Sequence, residues 1–394
     1  MDRRSFLTAG SGLAVTGAAA GFTTNALAGE VRRSSPTIFD FGAAGDGSTD
    51  DSDAFSKALQ TAAEKGGFVI VPAGTYAIAK TISFLSRGNS GAAWGLHCQG
   101  ATLRSRITNR ESVMRMESRH VVWNFRLTGG LSIQCNGSEG NGLHILALSP
   151  TVYFAAFVID GLSVQGAGQH GCLLEGDVFE CAISNCYFMD NKQNGMTLAQ
   201  SHKGIISSVN VMNCLFSQNG NIGMACVNFD GPHGGPTDVR VYGGYARDNW
   251  SYGFFYNNGT RQAALHQVGF ENNCHAYKPG DPDGAHVYAP VSVRMKDCAG
   301  YNQTGGATYL LRGWFSGLAH LDGCTQEADG PMAETGKTRL VYIDGRDSGH
   351  VYMVGCTGGF EVKPGTGVTW EAVNCNGPSP AGKLNIRGTI TGKA

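Results

Sequence analysis

Glycines recur along the middle of the chain, and each begins the same alternation of apolar and other positions. The recurring glycines are Gly142, Gly171, Gly195, Gly223 and Gly253. The first and third residues after each glycine are apolar, as in Leu143 and Ile145 or Phe254 and Tyr256. Alternation with a period of two predicts short β-strands, and a repeat of roughly 20 to 30 residues is typical of solenoids. We therefore predict stacked coils whose apolar residues face one continuous core.

The same register predicts an outward face and a ladder of asparagines. The residues between the apolar positions are expected to face outward, and His144 and Glu175 are among them. An asparagine stands four residues before three of the glycines, at Asn191, Asn219 and Asn249. Amide side chains at a turn can bond from coil to coil and tolerate left-handed backbone. We predict an asparagine ladder at this turn.

The N-terminal part of the chain predicts a cap on the solenoid. Asp40–Asp51 is rich in the glycine and aspartate that favour turns, and Phe68–Val71 is a short apolar run typical of a strand. Between them lies a segment that places one set of apolar residues on a single helical face, namely Phe55, Ala58, Leu59 and Ala62. An amphipathic helix here would cover the open end of the core and protect its strand edges.

This N-terminal stretch closely resembles the opening of the pectate-lyase-like superfamily, in its rhamnogalacturonase/epimerase form. It reads DFGAAGDGSTDD from Asp40 and GGFVIVPAGTY from Gly66, against a shared pattern DFGAxGDGxTDD…GGxVxVPxGxY. The resemblance implies an all-β fold, a single-stranded right-handed parallel β-helix with an N-terminal helical cap. Most known members act on polysaccharides. The motif lies at the end of the solenoid, so it does not specify which bond is made or broken.

The first 28 residues are expected to be an export signal. Arg3-Arg4-Ser5-Phe6-Leu7 resembles the twin-arginine signature, and Ala26-Leu27-Ala28 is a small-residue cleavage site. The alternative is a cytoplasmic N-terminus that is merely rich in alanine. We expect residues 1–28 to be removed and residues 29–394 to form the β-helix in the periplasm or outside the cell. No other segment is apolar for 18 residues, so no membrane span is expected.

Composition and charge limit the classes of binding partner that we expect. The formal net charge is -1 and charged residues are 15% of the chain, which does not indicate a nucleic-acid partner. Twelve cysteines in an exported protein first suggest disulfides. However, Cys186 and Cys214 lie 28 residues apart, and Cys298 and Cys324 lie 26 apart, close to one coil. We therefore favour free, stacked thiols that pack as small apolar groups, with disulfides as the alternative.

Carboxylates next to the asparagine column are the first catalytic candidates. Asp190 and Asp248 each precede a ladder asparagine, two coils apart. Stacked coils are about 4.8 Å apart, so equivalent residues two coils apart are separated by about 9 to 10 Å, the upper end of the spacing in inverting glycosidases. The alternative is ordinary turn chemistry. Glu175 and Asp230, on or just past outward strand positions, form a second candidate pair, with simple solvation as its alternative.

A lyase needs different residues, because it must neutralise a uronate carboxylate and remove the neighbouring proton. Calcium or basic side chains would neutralise the carboxylate, and the candidates are Lys192, Arg247 and Arg294. Candidate bases are His170, His202 and His233, although surface or turn roles are the alternative for each. Trp250, Tyr252 and Phe255 follow one asparagine turn and would stack on sugar rings if exposed, or pack in the core if not.

The known signatures of specific enzymes are absent. The chain lacks the aspartate and Gly-His-Gly pattern of the pectin hydrolases, the Arg-x-Pro-x-x-Arg run of the pectate lyases and the Asp-Pro-His of the alginate epimerases. The leading hypothesis is an exported glycoside hydrolase that needs no cofactor. A uronate lyase or epimerase, in which Ca²⁺ has a place, and a non-catalytic glycan-binding solenoid are the alternatives. A polysaccharide is the expected partner in each case, and the oligomeric state is left open.

Overall fold

The structure is a computed structural model. It describes residues 35–87, 91–148, 151–231, 235–256, 262–279, 281, 283–289, 292–301, 307–313, 318–326, 339–345, 349–362, 368–379, 382–385 and 389–393. The predicted export signal, residues 1–28, lies outside these ranges, so the signal and its cleavage stay predictions. No helix in the described ranges is both long enough and apolar enough to span a membrane.

The strands form three long sheets, which the chain visits in the order A, B, C in each coil. Sheet A contains Gly67–Val71, Trp94–Cys98, Val122–Trp123, Phe125–Thr128, Phe154–Ala155, Val158–Asp160, Val178–Ser184, Ile206–Met212, Thr237–Tyr242, Ala263–His266, Val293–Lys296, Leu318–Asp322, His350–Val354, Thr369–Val373 and Thr389–Lys393. Sheet B contains Asp46–Asp50, Gly74–Ile78, Ala101–Ser105, Leu131–Gln134, Leu162–Gln165, Tyr187–Met189, Leu215–Ser217, Tyr245–Arg247, Gly269–Glu271, Ala299–Tyr301 and Thr325–Gln326. Sheet C contains Ile82–Leu85, Met114–Ser118, Leu143–Ala147, Cys172–Glu175, Met196–Gln200, Ile222–Asn228, Tyr252–Tyr256, Ala285–Tyr288, Ala307–Gly313, Val341–Gly345 and Phe360–Val362.

Pairing within the three sheets is parallel except at the C-terminal end. There Thr389–Lys393 pairs antiparallel with Thr369–Val373, and Asn376–Ser379 pairs with Gly382–Asn385 in a separate hairpin. The predicted fold, a right-handed parallel β-helix, is confirmed.

The predicted core alternation is confirmed in sheet C. Leu143, Cys172, Met196, Met224 and Phe254 are paired in register across five successive coils, and all five are buried. Phe254 also belongs to a column of phenylalanine rings from sheets B and C in the core. The ring centroids of Phe188 and Phe216 are 5.6 Å apart and stacked, and those of Phe216 and Phe254 are 5.6 Å apart and edge-to-face.

The recurring glycines are required because the backbones of neighbouring coils approach closely. A Cβ atom on Gly195 would lie 2.7 Å from the carbonyl oxygen of Gly223. A Cβ atom on Gly223 would lie 2.5 Å from the carbonyl oxygen of Gly253. Any side chain at these positions would push the coils apart.

The asparagine ladder is also confirmed, and it extends one coil further than predicted. The Nδ2 of Asn191 donates to Oδ1 of Asn219 at 2.9 Å, Asn219 donates to Asn249 at 2.9 Å, and Asn249 donates to Asn273 at 2.8 Å. The backbone N–H of each of the first three donates to the same oxygens. All four side chains are buried, so these bonds satisfy groups that water cannot reach.

The helix Ser52–Lys65 and the 3₁₀ helix Ile38–Phe41 form the N-terminal cap. Phe55, Ala58, Leu59 and Ala62 are buried as predicted, and the Phe55 ring packs edge-to-face on Tyr76 with centroids 5.3 Å apart. Asp51, also buried, accepts hydrogen bonds from the backbone N–H groups of Ala44 and Gly45 at 2.6 and 3.2 Å. This carboxylate ties the glycine-rich loop of the motif to the start of the helix.

All twelve cysteines are buried and unpaired, as the repeat predicts. Cys186 and Cys214 follow the turn between sheets A and B in neighbouring coils, and each thiol donates to the carbonyl two residues before it, at 3.1 and 3.4 Å. Burial raises the pKa of the Cys98 thiol to about 12. Cys98 therefore packs as a neutral core group.

We predict that Asn219→Ala destabilises the fold by about 2 to 4 kcal/mol, because it leaves several buried amide and carbonyl groups without partners. Chemical denaturation measures the change. Asn210→Ala is the matched control, since Asn210 lies half-buried on the outer face of sheet A and outside the ladder. Equal unfolding midpoints for the two variants would contradict a structural role for the ladder.

Candidate active site on sheet C

The outer face of sheet C is shielded from solvent in the middle coils. Leu173, Thr197, Ala199 and Ala225 occupy outward positions, yet all four are buried. Glu175 lies on the same face with only 15% of its side chain exposed. Simple solvation, the alternative to a catalytic role, therefore does not apply to Glu175. The low exposure strengthens every polar contact that its carboxylate makes.

Glu175 is held by groups from the two neighbouring coils. Its Oε2 lies 2.8 Å from Nε2 of His144, on the preceding coil. Its Oε1 accepts a hydrogen bond from Oγ of Ser201 at 3.0 Å and lies 3.6 Å from Nε2 of His202, both on the following coil. Burial alone would raise the pKa of Glu175, but the hydrogen bonds from His144 and Ser201, together with the positive charge that His144 and His202 carry when protonated, outweigh it and lower that pKa. Glu175 is thus a carboxylate at neutral pH, and its partner His144 carries a proton on Nε2.

A second chain of contacts reaches His170. Oδ1 of Asn194 accepts the backbone N–H of Ile222 at 3.2 Å, which turns its Nδ2 toward Oγ1 of Thr197 at 3.0 Å. The Thr197 hydroxyl lies 3.2 Å from Nδ1 of His170. A neutral His170 with its proton on Nε2, which accepts from this hydroxyl, satisfies all of these contacts.

Electrostatics keeps His170 neutral. Its pKa is lowered to about 4, mainly by burial; a positive charge on His144 acts in the same direction, and the charge of Glu175 opposes both. The site therefore contains a carboxylate, a carboxylate-bound imidazole and a neutral imidazole close together.

Two further carboxylates hold the loop that covers Glu175. Asp230 accepts the backbone N–H groups of His202 and Lys203 at 3.0 and 2.7 Å. Asp177, which is buried, accepts the backbone N–H of Ile205. Glu175 and Asp230, the second predicted pair, thus meet at His202, one through its ring and one through its backbone. A catalytic role for Asp230 stays a prediction.

Asp190 and Asp248 occupy the predicted turn column. The strands before them pair in register through Met189, Ser217 and Arg247. Both aspartates adopt left-handed backbone, with φ of 54° and 55°. Asp190 accepts a hydrogen bond from Gln165 at 2.8 Å, and Asp248 accepts one from Asn272 at 2.7 Å. These features match turn chemistry and leave the predicted hydrolytic pair untested.

The predicted substrate-binding residues fall into two groups. Lys192, Arg247 and Trp250 are exposed along the turn from sheet B to sheet C, with Trp250 53% exposed and 6.4 Å from the ring of His275. Tyr252 is instead closed in, since its hydroxyl bonds that of Tyr277 at 2.7 Å and the carbonyl of Asp283 at 3.2 Å. His233 lies outside the described residues.

Sheet C also supplies residues that sequence reasoning did not select. Arg115 directly precedes His144 in the same outward column, and Glu117 lies in the column of Glu175. Nη2 of Arg115 lies 3.1 Å from Oε2 of Glu117. The signal was available, because Arg115 and Glu117 are the second and fourth residues of their sheet C strand, the positions that His144 and Glu175 occupy after their glycines. Arg115 places a cation one coil from His144 and two coils from Glu175.

The chemistry available here is proton transfer. When His144 is neutral, a carboxylate that accepts from its Nε2–H leaves Nδ1 as the basic nitrogen. Catalytic triads use the same pairing of carboxylate and imidazole with the two ring nitrogens exchanged. Within the described ranges, no group of three or more His, Cys, Asp or Glu side chains is arranged to hold a metal ion.

The family model described as rhamnogalacturonase A/epimerase, pectate lyase-like, matches residues 37–95. This segment contains the cap, the first coil and the beginning of the second coil, and none of the candidate site residues. Together with the parallel β-helix, the match supports the pectate-lyase-like superfamily. A comparison with curated protein sequences finds no match.

Several solved structures resemble the chain. The N-terminal fragment of bacteriophage phi29 gene product 12 has a TM-score of 0.58 at 17% identity, covering 90% of this chain and 68% of that one. Tailspike protein 2 of Escherichia coli O157:H7 bacteriophage CAB120 has a TM-score of 0.53 at 12% identity, covering 82% of this chain and 43% of that one. The A-module of Azotobacter vinelandii mannuronan C-5 epimerase AlgE4 has a TM-score of 0.42 at 16% identity, covering 82% and 90%. The first two share the solenoid fold.

We predict that His170 makes the fold less stable in acid. The unfolded chain takes up a proton near pH 6.5, whereas folded His170 resists it down to about pH 4. Stability therefore falls as the pH drops through this window, by at most about 3 kcal/mol. Thermal unfolding midpoints between pH 7 and 4 measure the loss, and His170→Gln should reduce it. His120→Gln, at an exposed turn, is the control; the same pH profile for wild type and His170→Gln would contradict the burial argument.

Proposed function

We propose that the protein is a polysaccharide-active enzyme that removes the proton beside a uronate carboxyl group, as a lyase or an epimerase. The observation that supports this proposal best is the buried Glu175–His144 pair on the outer face of sheet C, with its 2.8 Å contact. The family match and the solenoid fold agree with a polysaccharide as substrate.

In the proposed reaction, Glu175 holds Nε2–H of His144 and Nδ1 of His144 takes the proton from the sugar carbon. The C–H electron pair moves into the adjacent carboxyl group. Arg115, one coil away, pairs with that carboxylate and stabilises the developing charge. Protonation of the carbanion by water from the opposite face gives an epimer, and His144 then returns its proton to solvent. Loss of the glycosidic oxygen from the next carbon, with transfer of the proton on His144 to that oxygen, instead gives an unsaturated sugar and a free hydroxyl.

A glycoside hydrolase is the second candidate, and the observation that favours it is the column of Asp190 and Asp248. These carboxylates stack two coils apart in register, at the separation of about 9 to 10 Å that suits an inverting mechanism. Glu175 suits the acid role of a hydrolase poorly, because its pKa is lowered rather than raised.

We also propose that the enzyme works in the periplasm or outside the cell after export by the twin-arginine route. This rests on the paired arginines and the small-residue site in residues 1–28.

Basic side chains fill the neutralising role in the proposed reaction, so we expect turnover without added Ca²⁺.

The test is to incubate the protein with uronate and neutral polysaccharides, with and without Ca²⁺. Ultraviolet absorbance detects an unsaturated uronate, proton NMR of the recovered polymer detects epimerisation, and reducing ends without absorbance detect hydrolysis. We predict that Glu175→Gln and His144→Gln each lower turnover by at least about 100-fold. Glu180→Gln, at an exposed position on sheet A, should leave turnover unchanged.

Other results would reject this assignment. Hydrolysis that survives His144→Gln but is lost in Asp190→Asn or Asp248→Asn would support the second candidate. Binding of a polymer without any turnover would support a glycan-binding solenoid instead.

A further inference from the structure

A row of stacked cysteines follows the turn from sheet A to sheet B in the C-terminal coils. Its members are Cys298, Cys324, Cys356 and Cys375, all of them buried and free. The carbonyl oxygen of each of the first three accepts the backbone N–H of the residue after the next cysteine, at 2.9 Å in every case. The four cysteines therefore lie directly above one another in successive coils. We call them the thiol row.

The four thiols of this row have the same orientation. Each sulfur lies close to the carbonyl oxygen two residues before it, at 3.4 Å for Lys296, 3.7 Å for Asp322, 3.4 Å for Val354 and 3.4 Å for Val373. Because this geometry repeats, neighbouring sulfur atoms are separated by roughly one coil, about 4.8 Å. A metal ion held in a straight line by two thiolates, with bonds of about 2.3 Å, spans about 4.6 Å. The spacing of the row suits such an ion.

Two buried tyrosines face the first half of the row. Tyr256 and Tyr309 are completely buried, and neither hydroxyl has a hydrogen-bond partner within the described part of the chain. Burial raises the pKa of each phenol, and nearby thiols raise it further, those of Cys324 and Cys298 for Tyr309 and those of Cys226 and Cys298 for Tyr256. A buried hydroxyl without a partner is rare and indicates a missing acceptor. Here the nearest candidates for that acceptor are the sulfur atoms of the row.

The surroundings of Cys324 favour its thiolate. Hydrogen bonds from Cys298 and Cys356 lower the pKa of the Cys324 thiol, and Tyr309 acts in the same direction, against the opposing effect of burial. The thiolate, rather than the thiol, is the form that binds metal ions. The geometry of the row and the open phenol therefore point to the same position, between Cys298 and Cys324.

The number and kind of donors select the ion. Thiolates are soft ligands, which suit Cu(I) and Zn²⁺. Structural zinc requires four ligands, and the described ranges contain no arrangement of three or more His, Cys, Asp or Glu side chains that could hold a metal ion. Cu(I) is stable between two thiolates in a straight line. That complex carries one negative charge, which two phenol O–H donors can stabilise in a closed core.

We propose that Cys298 and Cys324 bind one Cu(I) ion between neighbouring coils, with the hydroxyls of Tyr256 and Tyr309 donating to the two sulfur atoms. Both thiols lose their protons when the ion binds. Because the row is closed to solvent, the ion enters while the chain folds and then cross-links the two coils. This site does not depend on the reaction proposed for sheet C.

The test is to produce the full chain in cells grown with and without added copper, to purify it under argon and to measure its copper content. We predict about one copper ion per chain after growth with copper. X-ray absorption at the copper edge should show Cu(I) with sulfur neighbours only. The thermal unfolding midpoint of the loaded protein should be higher than that of the copper-free protein, because the ion binds only the folded chain.

Matched variants separate the row from the other buried thiols. Cys324→Ala should abolish copper binding, whereas Cys98→Ala removes an equally buried thiol outside the row and should bind copper as the wild type does. Tyr309→Phe should keep the ion but weaken its affinity about tenfold in anaerobic competition with bicinchoninate, because the thiolate loses one hydrogen bond. This variant removes a hydroxyl that has no partner, so we expect it to fold even if Cys324→Ala does not.

Several results would overturn the proposal. One is wild-type protein that is free of copper after both kinds of growth. A second is an absorption spectrum with nitrogen or oxygen neighbours, and a third is equal loss of copper in Cys98→Ala and Cys324→Ala. Equal affinity in Tyr309→Phe and the wild type would contradict the role of the phenol. None of these measurements uses turnover, so their outcome is separate from that of the proposed function.

Discussion

The coil-to-coil register is the constraint on which the rest of the structure depends. Parallel strands pair with their equivalents one coil away, and the backbone at Gly195, Gly223 and Gly253 comes too close for any side chain. Asn219 fixes the same register from the turn, because its amide bonds both neighbouring coils. A slip of one residue would place the core residues outside and break the ladder at once.

This register brings together side chains that are far apart in sequence. His144, Glu175 and Ser201 are 31 and 26 residues apart, yet each bonds the next because their coils are neighbours. The residues on the outer face of one sheet can therefore be listed directly from the repeat. The solvent exposure of each residue then depends on which loops cover it. Asp230 and Asp177 hold one such loop over Glu175, and that cover changes a solvated acid into a buried one.

The sequence predicted periodic features and missed those set by loops. Glycine, asparagine and core positions recur at near-constant spacing, so the stacked coils, the ladder and the free thiols followed from the repeat, whereas the right-handed parallel β-helix was implied by the resemblance of the N-terminal motif. Asn273 was not predicted, because its coil has no glycine four residues after the asparagine. The burial of Glu175 depends on Ser201 and the enclosure of Tyr252 on Tyr277 and Asp283, and all three lie in loops that do not follow the repeat. The stacking of Asp190 and Asp248 follows the repeat and was predicted. Their amide hydrogen-bond partners, Gln165 and Asn272, do not follow it and were not predicted.

The outer faces of sheets A and C differ in their electrostatic environment. On sheet C, low exposure strengthens contacts and shifts proton affinities, as the lowered pKa values of Glu175 and His170 indicate. On sheet A, Arg240 and Arg294 are open to water, so their charges attract anions but are screened by salt. The proton transfer proposed for sheet C requires the first environment. A solenoid supplies both because each coil adds one position to every face, and the faces can then differ independently.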